Sequence, residues 1–98
     1  MEMLKHIVYI LECKDGTFYT GYTNDLTKRL RLHENGKGAK YTRGRGPFAV
    51  RFTEHFPTKE EAMQREYAIK QLGRKDKEQL IDLNNQKDVV QDEHTKKL

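Results

Sequence analysis

The chain predicts an α+β domain, a small antiparallel sheet flanked by helices in the order β-β-α-β-α-α. Three observations carry that reading. Residues 6–13 form a run rich in β-branched and aromatic side chains, and after Lys14-Asp15-Gly16 a second such run follows at 17–22, which signals a hairpin. Capped helical patterns alternate with a period-two stretch further along the chain. A length of 98 residues at 11.6 kDa, with 35% apolar and 35% charged residues, leaves room for one small core only.

Each element has a local cause. The hairpin admits two registers. If Asp15-Gly16 is a two-residue turn, Tyr9 opposes Tyr22 and Tyr19 points to the other face. If Lys14-Asp15-Gly16 is a three-residue loop with Gly16 left-handed, Tyr9 opposes Gly21 and shares a face with Tyr19. Thr23, Asn24 and Asp25 offer N-caps for a helix carrying Leu26 and Leu30, which runs to about Asn35 and stops at Gly36. Residues 36–47 hold four glycines and a proline without hydrophobic period and read as an exposed basic loop. At 48–56, Phe48, Val50 and Phe52 alternate with Ala49, Arg51 and Thr53, a strand with one face in the core. Thr58 and Glu61 have capping-box spacing for a helix to about Leu72, ended by Gly73. Asp76 opens a last helix with Leu80, Ile81 and Leu83. The domain therefore spans residues 1–84, and 85–98 read as a polar, disordered tail.

Composition narrows the function classes. The longest apolar run, Ile7-Val8-Tyr9-Ile10-Leu11, is far short of the about 20 residues that cross a bilayer. Met1-Glu2-Met3-Leu4-Lys5-His6 has none of the parts of a signal peptide, so the reading is a cytoplasmic protein without a membrane partner. The single cysteine, Cys13, cannot form an internal disulfide and reads as a small buried residue. His6, His33, His55 and His94 lack metal-binding helical spacing, and no P-loop, dinucleotide fingerprint or nucleophilic triad is present. The net charge is +4, and its distribution is uneven. Residues 26–51 carry eight basic side chains (Lys28, Arg29, Arg31, Lys37, Lys40, Arg43, Arg45, Arg51) against one acid, Glu34, whereas from Thr58 onward nine basic face nine acidic. That asymmetry favours a polyanionic partner.

Some residues sit where chemistry or packing would use them. Arg29 and His33 lie one helical turn apart beside the Leu26/Leu30 stripe; Arg29 either grips a phosphate through paired hydrogen bonds or covers the core edge with its stem. On the second long helix the apolar face orders as Leu72, Ile69, Ala62, Glu66, Lys70, Met63, with Glu66 in its middle. A carboxylate aimed at a core needs a partner or a metal, and Lys70 at i+4 is the local alternative. Gly21 inside a strand marks a bulge or the close approach of another group.

Taken together, Ile7-Val8-Tyr9, the ten-residue step from Tyr to Tyr, Tyr19-Thr20-Gly21, Lys28-Arg29-Leu30 with His33, and the later Glu66 resemble the GIY-YIG nuclease domain over residues 5–83. The resemblance is closest to small stand-alone bacterial members of uncharacterised role. Their typical features include Gly36-Lys37-Gly38-Ala39-Lys40-Tyr41-Thr42 and Gly44-Arg45-Gly46-Pro47, a segment similar in part to the junction endonuclease subunit that cuts branched DNA. The resemblance implies a three-stranded antiparallel sheet and a metal-dependent endonuclease or nickase acting on phosphodiester bonds. One divalent cation, Mg2+ or Mn2+, would be held by Glu66. Tyr9 and Tyr19 match the motif tyrosines, one of which takes a proton from the attacking water. Arg29 matches the arginine on the scissile phosphate, and His33 a nearby polar position. Gly21 would admit the DNA backbone, and Lys37, Lys40, Tyr41, Arg43 and Arg45 would contact it. The implied partners are DNA, branched or damaged forms included, RNA as the other nucleic acid, and a protein that supplies targeting. A non-catalytic nucleic-acid-binding module on the same fold is the alternative reading. The chain departs from the family at Ile7, where the motif has glycine, at Tyr22, where several members have lysine, and at Asn84 and Asn85, which lie far from Glu66. The implied site requires the three-residue loop register, because Tyr9 and Tyr19 must share a face.

Overall fold

The most apolar run of a small chain belongs where both of its faces are covered, which in a three-stranded sheet is the middle. The computed structural model, which describes residues 4–97 and the side chains of residues 4–85, places it there. β1 (His6–Glu12) lies between β2 (Phe18–Thr23) and β3 (Ala49–Phe56), antiparallel to both. Helices α1 (Leu26–Glu34), α2 (Lys59–Lys70) and α3 (Arg74–Lys97) complete the α+β order read from the sequence.

Alternation along β1 divides the interior in two. Val8 and Ile10 face the main core, where they join Phe52, Ala62, Ile69 and Ile81, so α2 and α3 pack on that side. Tyr9 points the opposite way, toward His33 of α1 and Tyr19 of β2.

The hairpin takes the three-residue loop. The Cys13 N–H donates to the Thr17 carbonyl at 2.8 Å, the Gly16 N–H returns to the Cys13 carbonyl at 2.9 Å, and Gly16 has φ +85°. Only glycine adopts that left-handed backbone without steric cost. Tyr9 therefore pairs with Gly21 across the ladder, and Leu11 with Tyr19. The hairpin end is held from two sides: Arg74 donates to the Gly16 carbonyl and lies over the Phe18 ring, while Arg45 pairs with Asp15.

β3 departs from its sequence pattern. Ile10 pairs with Phe52 but Leu11 with Val50, so Arg51 is one residue too many and the strand bulges there. An extra residue reverses the facing of everything beyond it. Phe52 is 5% exposed in the core while Val50 is 40% exposed, and Phe48 packs its ring against His33 at 5.9 Å. The expected single core face over Phe48, Val50 and Phe52 is thus split between two sides of the sheet.

The helix ends follow their caps. Asp25 accepts from the Lys28 N–H to open α1. Its far end closes with Gly36 at φ +77°, Gly36 N–H to the His33 carbonyl and Lys37 N–H to the Leu32 carbonyl, a Schellman closure that sets the start of the following loop. Thr58 accepts from the Glu61 N–H at the start of α2. α2 buries Ala62 and Ile69 and leaves Met63 exposed. In α3, Ile81 is buried and Leu80 packs beside the core, but Leu83, grouped with them in the sequence, is exposed. The helical backbone runs on to Lys97, past the end near residue 84 that the apolar pattern predicts; Lys, Glu and Gln favour helix without needing burial. A boundary between a domain over 1–84 and a tail over 85–98 is a proposal that rests on the loss of the apolar pattern after Asn84, and the readings made on Met1–Met3 and on the side chains of 86–98 lie outside the described residues. Among the described residues no helix is long and apolar enough to cross a membrane.

The split facing of β3 is testable by urea denaturation. Ile10→Ala, in the centre of the core, should lower stability by about 2–5 kcal/mol. Val50→Ala, two residues from Phe52 on the other side of the bulge, should change it by no more than about 0.5 kcal/mol.

Candidate active site

Tyr9 stands in the middle of the central strand, and its hydroxyl is where the other elements meet. The ladder sets Gly21 opposite it, and a side chain at that glycine would put Cβ 2.5 Å from the Tyr9 hydroxyl and 2.6 Å from its ring. The Tyr9 phenol therefore fills the room that Gly21 leaves. The strand glycine thus has a cause inside the domain. Tyr19, two residues earlier on β2, lies on the same face, its ring centroid 6.4 Å from that of Tyr9.

His33, on the last turn of α1, closes the group. It is 1% exposed, as is Tyr9, and its Nε2 lies 2.8 Å from the Tyr9 hydroxyl. Its Nδ1 lies 2.9 Å from the hydroxyl of Thr42, which donates in turn to the Ala39 carbonyl at 3.0 Å. The rings of Tyr19, at 5.3 Å, and Phe48 wall the imidazole edge-on. Gly38 lies against one side of the ring: a Cβ there would fall 2.6 Å from Cγ and 2.8 Å from Cε1 of His33.

Electrostatics bring in two more groups. Burial, then the neighbouring Tyr19, pushes the Tyr9 hydroxyl well above the ordinary phenol value; the Arg29 guanidinium pulls it down and the Glu66 carboxylate pushes it further up. Arg29 and Glu66 thus both act on this one hydroxyl, from α1 and from α2. Burial and then Arg29 hold His33 below its ordinary value of 6.5, so the ring is neutral at pH 7. A neutral imidazole beside a protonated phenol is a proton acceptor in place.

Of the two sequence readings of Glu66, the structure contains the local pair with Lys70. Its side chain is 12% exposed and its Oε2 lies 3.3 Å from Lys70 Nζ, the local i+4 partner, while its charge reaches Tyr9. Among the described residues no group of three His, Cys, Asp or Glu side chains is gathered as a metal cage. A single recessed carboxylate fits a hard divalent cation that keeps water ligands and takes phosphate oxygens. It does not fit zinc, which needs more protein ligands.

The basic loop divides. Lys37, Lys40, Tyr41 and Arg43 are exposed. Arg45 has partners within the domain: its guanidinium pairs with Asp15, donates to the Tyr41 carbonyl at 2.7 Å and lies 4.5 Å from the Tyr41 ring centroid. Tyr41 stacks on Tyr19 at 6.1 Å, so the loop joins the site through its aromatics. Backbone bonds from Thr42 to Ala39, Arg43 to Lys40, Arg45 to Thr42 and Lys14 to Arg45 make it a folded segment. Sequence reasoning missed Thr42, Gly38 and Phe48. The glycine carried a signal, as a residue permitting close approach, while Thr42 carried none.

A family model described as the GIY-YIG catalytic domain matches residues 5–79. The chain belongs to the GIY-YIG family. A UPF0213 protein of Halalkalibacterium halodurans is 61% identical over 80 residues, which cover 82% of this chain and 85% of that protein. A solution NMR structure of a UPF0213 protein from Bacillus halodurans is 63% identical, covers 80% of this chain and 83% of that one, and superposes with a TM-score of 0.54. A solution NMR structure of a protein from E. faecalis is 44% identical with 87% and 92% coverage and a TM-score of 0.60. In this GIY-YIG domain Tyr9, Tyr19 and His33 pack together on the side of the sheet opposite the main core, and the charges of Arg29 and Glu66 bear on the Tyr9 hydroxyl.

Depression of the His33 pKa has a consequence for stability. The unfolded chain takes up the proton at higher pH than the folded one, so the stabilising contribution is complete above 6.5 and is lost as pH falls through the lower folded-state value. Urea midpoints measured from about pH 7.5 to 4.5 should fall more steeply for the wild type than for His33→Gln, which has no such proton to take up.

Proposed function

We propose that the chain is a metal-dependent endonuclease or nickase that hydrolyses phosphodiester bonds in DNA, acting in the cytoplasm. The observation that supports this most is the convergence of a proton acceptor, a guanidinium and a carboxylate on the Tyr9 hydroxyl.

Hydrolysis of a phosphodiester requires that the attacking water lose a proton and that the negative charge growing on phosphorus and on the leaving oxygen be stabilised. Tyr9 is not a standing phenolate, because burial holds its proton. It is instead a conduit. A proton arriving from water on the Tyr9 oxygen is matched by departure of the phenol proton to His33 Nε2, 2.8 Å away. With Tyr9 1% exposed, the phosphate and its water reach that oxygen only once substrate parts the surrounding side chains. Of the two motif tyrosines, Tyr9 is the one with a base directly behind it. Tyr19 is less enclosed and forms the aromatic wall next to it.

Arg29, close enough to lower the proton affinity of both Tyr9 and His33, would hold the scissile phosphate. Glu66 would hold the single Mg2+ or Mn2+, after exchanging its contact with the half-exposed Lys70. When bound, that cation supplies Lewis-acid stabilisation of the phosphate and leaving oxygens. Lys37, Lys40 and Arg43 on the loop, with Lys28 and Arg31 on α1, form the exposed basic surface on which flanking phosphates would lie.

The decisive assay uses labelled branched, flapped and single-stranded DNA with Mg2+ or Mn2+. Cleavage should require the metal and fall at least about 100-fold in Glu66→Ala, Arg29→Ala and Tyr9→Phe. Equal, negligible cutting by wild type and variants, with DNA still bound by all of them, would replace this reading with the non-catalytic binding module. The loop is tested separately through salt. A triple Lys37→Ala, Lys40→Ala, Arg43→Ala variant should lower the slope of log K against log salt by about 0.7–0.9 for each phosphate that is no longer neutralised, measured by fluorescence anisotropy. An unchanged slope would remove the loop from the interface.

A further inference from the structure

A neutral imidazole carries its one proton on either ring nitrogen, and only one of the two tautomers leaves a lone pair for Tyr9. What decides between them is the group on the other nitrogen. In this domain that group is the Thr42 hydroxyl, 2.9 Å from Nδ1. A hydroxyl has a single proton, and that of Thr42 is directed to the Ala39 carbonyl at 3.0 Å. Toward His33 it is left with lone pairs only. Nδ1 must therefore be the protonated nitrogen, Nε2 the bare one, and the 2.8 Å contact with Tyr9 a bond donated by the phenol.

The surroundings keep this arrangement in place. Thr42 is fully buried, so water does not compete for its hydroxyl. Its backbone is anchored on both sides, Thr42 N–H to the Ala39 carbonyl at 3.2 Å and Arg45 N–H to the Thr42 carbonyl at 3.1 Å. Gly38 lies against the imidazole and Phe48 meets it at 5.9 Å, which opposes reorientation of the ring. We propose that Thr42 is a positioning residue whose hydroxyl fixes the His33 tautomer that accepts the Tyr9 proton. The loop that carries it thereby belongs to the proton-transfer machinery as well as to the basic surface. The kinetic part of this inference rests on the nuclease reading; the tautomer does not.

The test is long-range 1H–15N correlation NMR of the histidine side chains of the whole chain, with the His33 signals assigned by their loss in His33→Gln. Wild type and Thr42→Ser should show Nδ1 protonated and Nε2 bare. Thr42→Val keeps the shape but removes the acceptor, and should move His33 toward the Nε2-protonated form. In cleavage assays Thr42→Val should lower kcat about 10- to 100-fold, the range by which losing a group that orients a functional histidine acts, with KM unchanged, and Thr42→Ser should restore it. Nε2 protonated in the wild type, or Thr42→Val with the wild-type tautomer, overturns the proposal. If Thr42→Val does not fold, the wild-type and Thr42→Ser spectra decide: Nδ1 protonated in both supports the role, and Nε2 protonated in either overturns it. If the wild type cleaves nothing, the nuclease reading fails alone, because the spectra still report what Thr42 does to His33.

Discussion

One hydrogen bond between a phenol and an imidazole, both closed off from solvent, is the contact on which the arrangement of this domain depends. It joins the central strand to the end of α1, two elements separated in the chain by β2. A buried polar pair of this kind is tolerated only when each partner is satisfied, and here each is: Tyr9 by His33, His33 by Thr42, Thr42 by Ala39. The chain of bonds ends in a loop that has little apolar content of its own. That loop is ordered because a polar network runs into it, and because Arg45 ties it to Asp15 at the hairpin.

Two glycines make the network geometrically possible. Gly21 yields its side-chain space to the Tyr9 phenol, and Gly38 yields its own to the His33 ring. Both act by omission, on opposite sides of the same hydrogen bond. The bulge at Arg51 works to the same end from β3: it keeps Phe52 in the main core while sending Phe48 across to His33. Core packing and site packing are therefore assigned to different faces of one strand.

The electrostatic layout follows from the same topology. Arg29 sits one turn before His33 on α1 and Glu66 comes from α2, so opposite charges bear on the Tyr9 hydroxyl. The guanidinium eases removal of a proton from the phenol and keeps the imidazole neutral, so that it is free to receive one. The carboxylate opposes ionisation of the phenol. Protonated phenol and neutral base are thus held together, with two opposite charges bearing on the phenol.

Much of this was legible in the chain. Element order and helix ends follow from signals a few residues long: Asp25 capping α1, Gly36 ending it, Thr58 capping α2, the apolar run of β1. Tyr9, Tyr19, Arg29, His33 and Glu66 came together as a set through the resemblance to the GIY-YIG domain. What the sequence left open was the hairpin register, and the three-residue loop settled it through a single left-handed glycine. Three matters belonged to the tertiary structure alone. Arg45 looks like one cation among many in a basic stretch, and only the folded hairpin brings Asp15 to it. Val50 looks like core, and only strand pairing reveals the extra residue that turns it outward. Thr42 looks like any loop threonine, and only the packing of the loop on α1 puts its hydroxyl on His33. The physical reason is common to all three: periodicity and capping act between near neighbours along the chain, whereas pairing register and buried hydrogen bonds act between residues that only folding brings together.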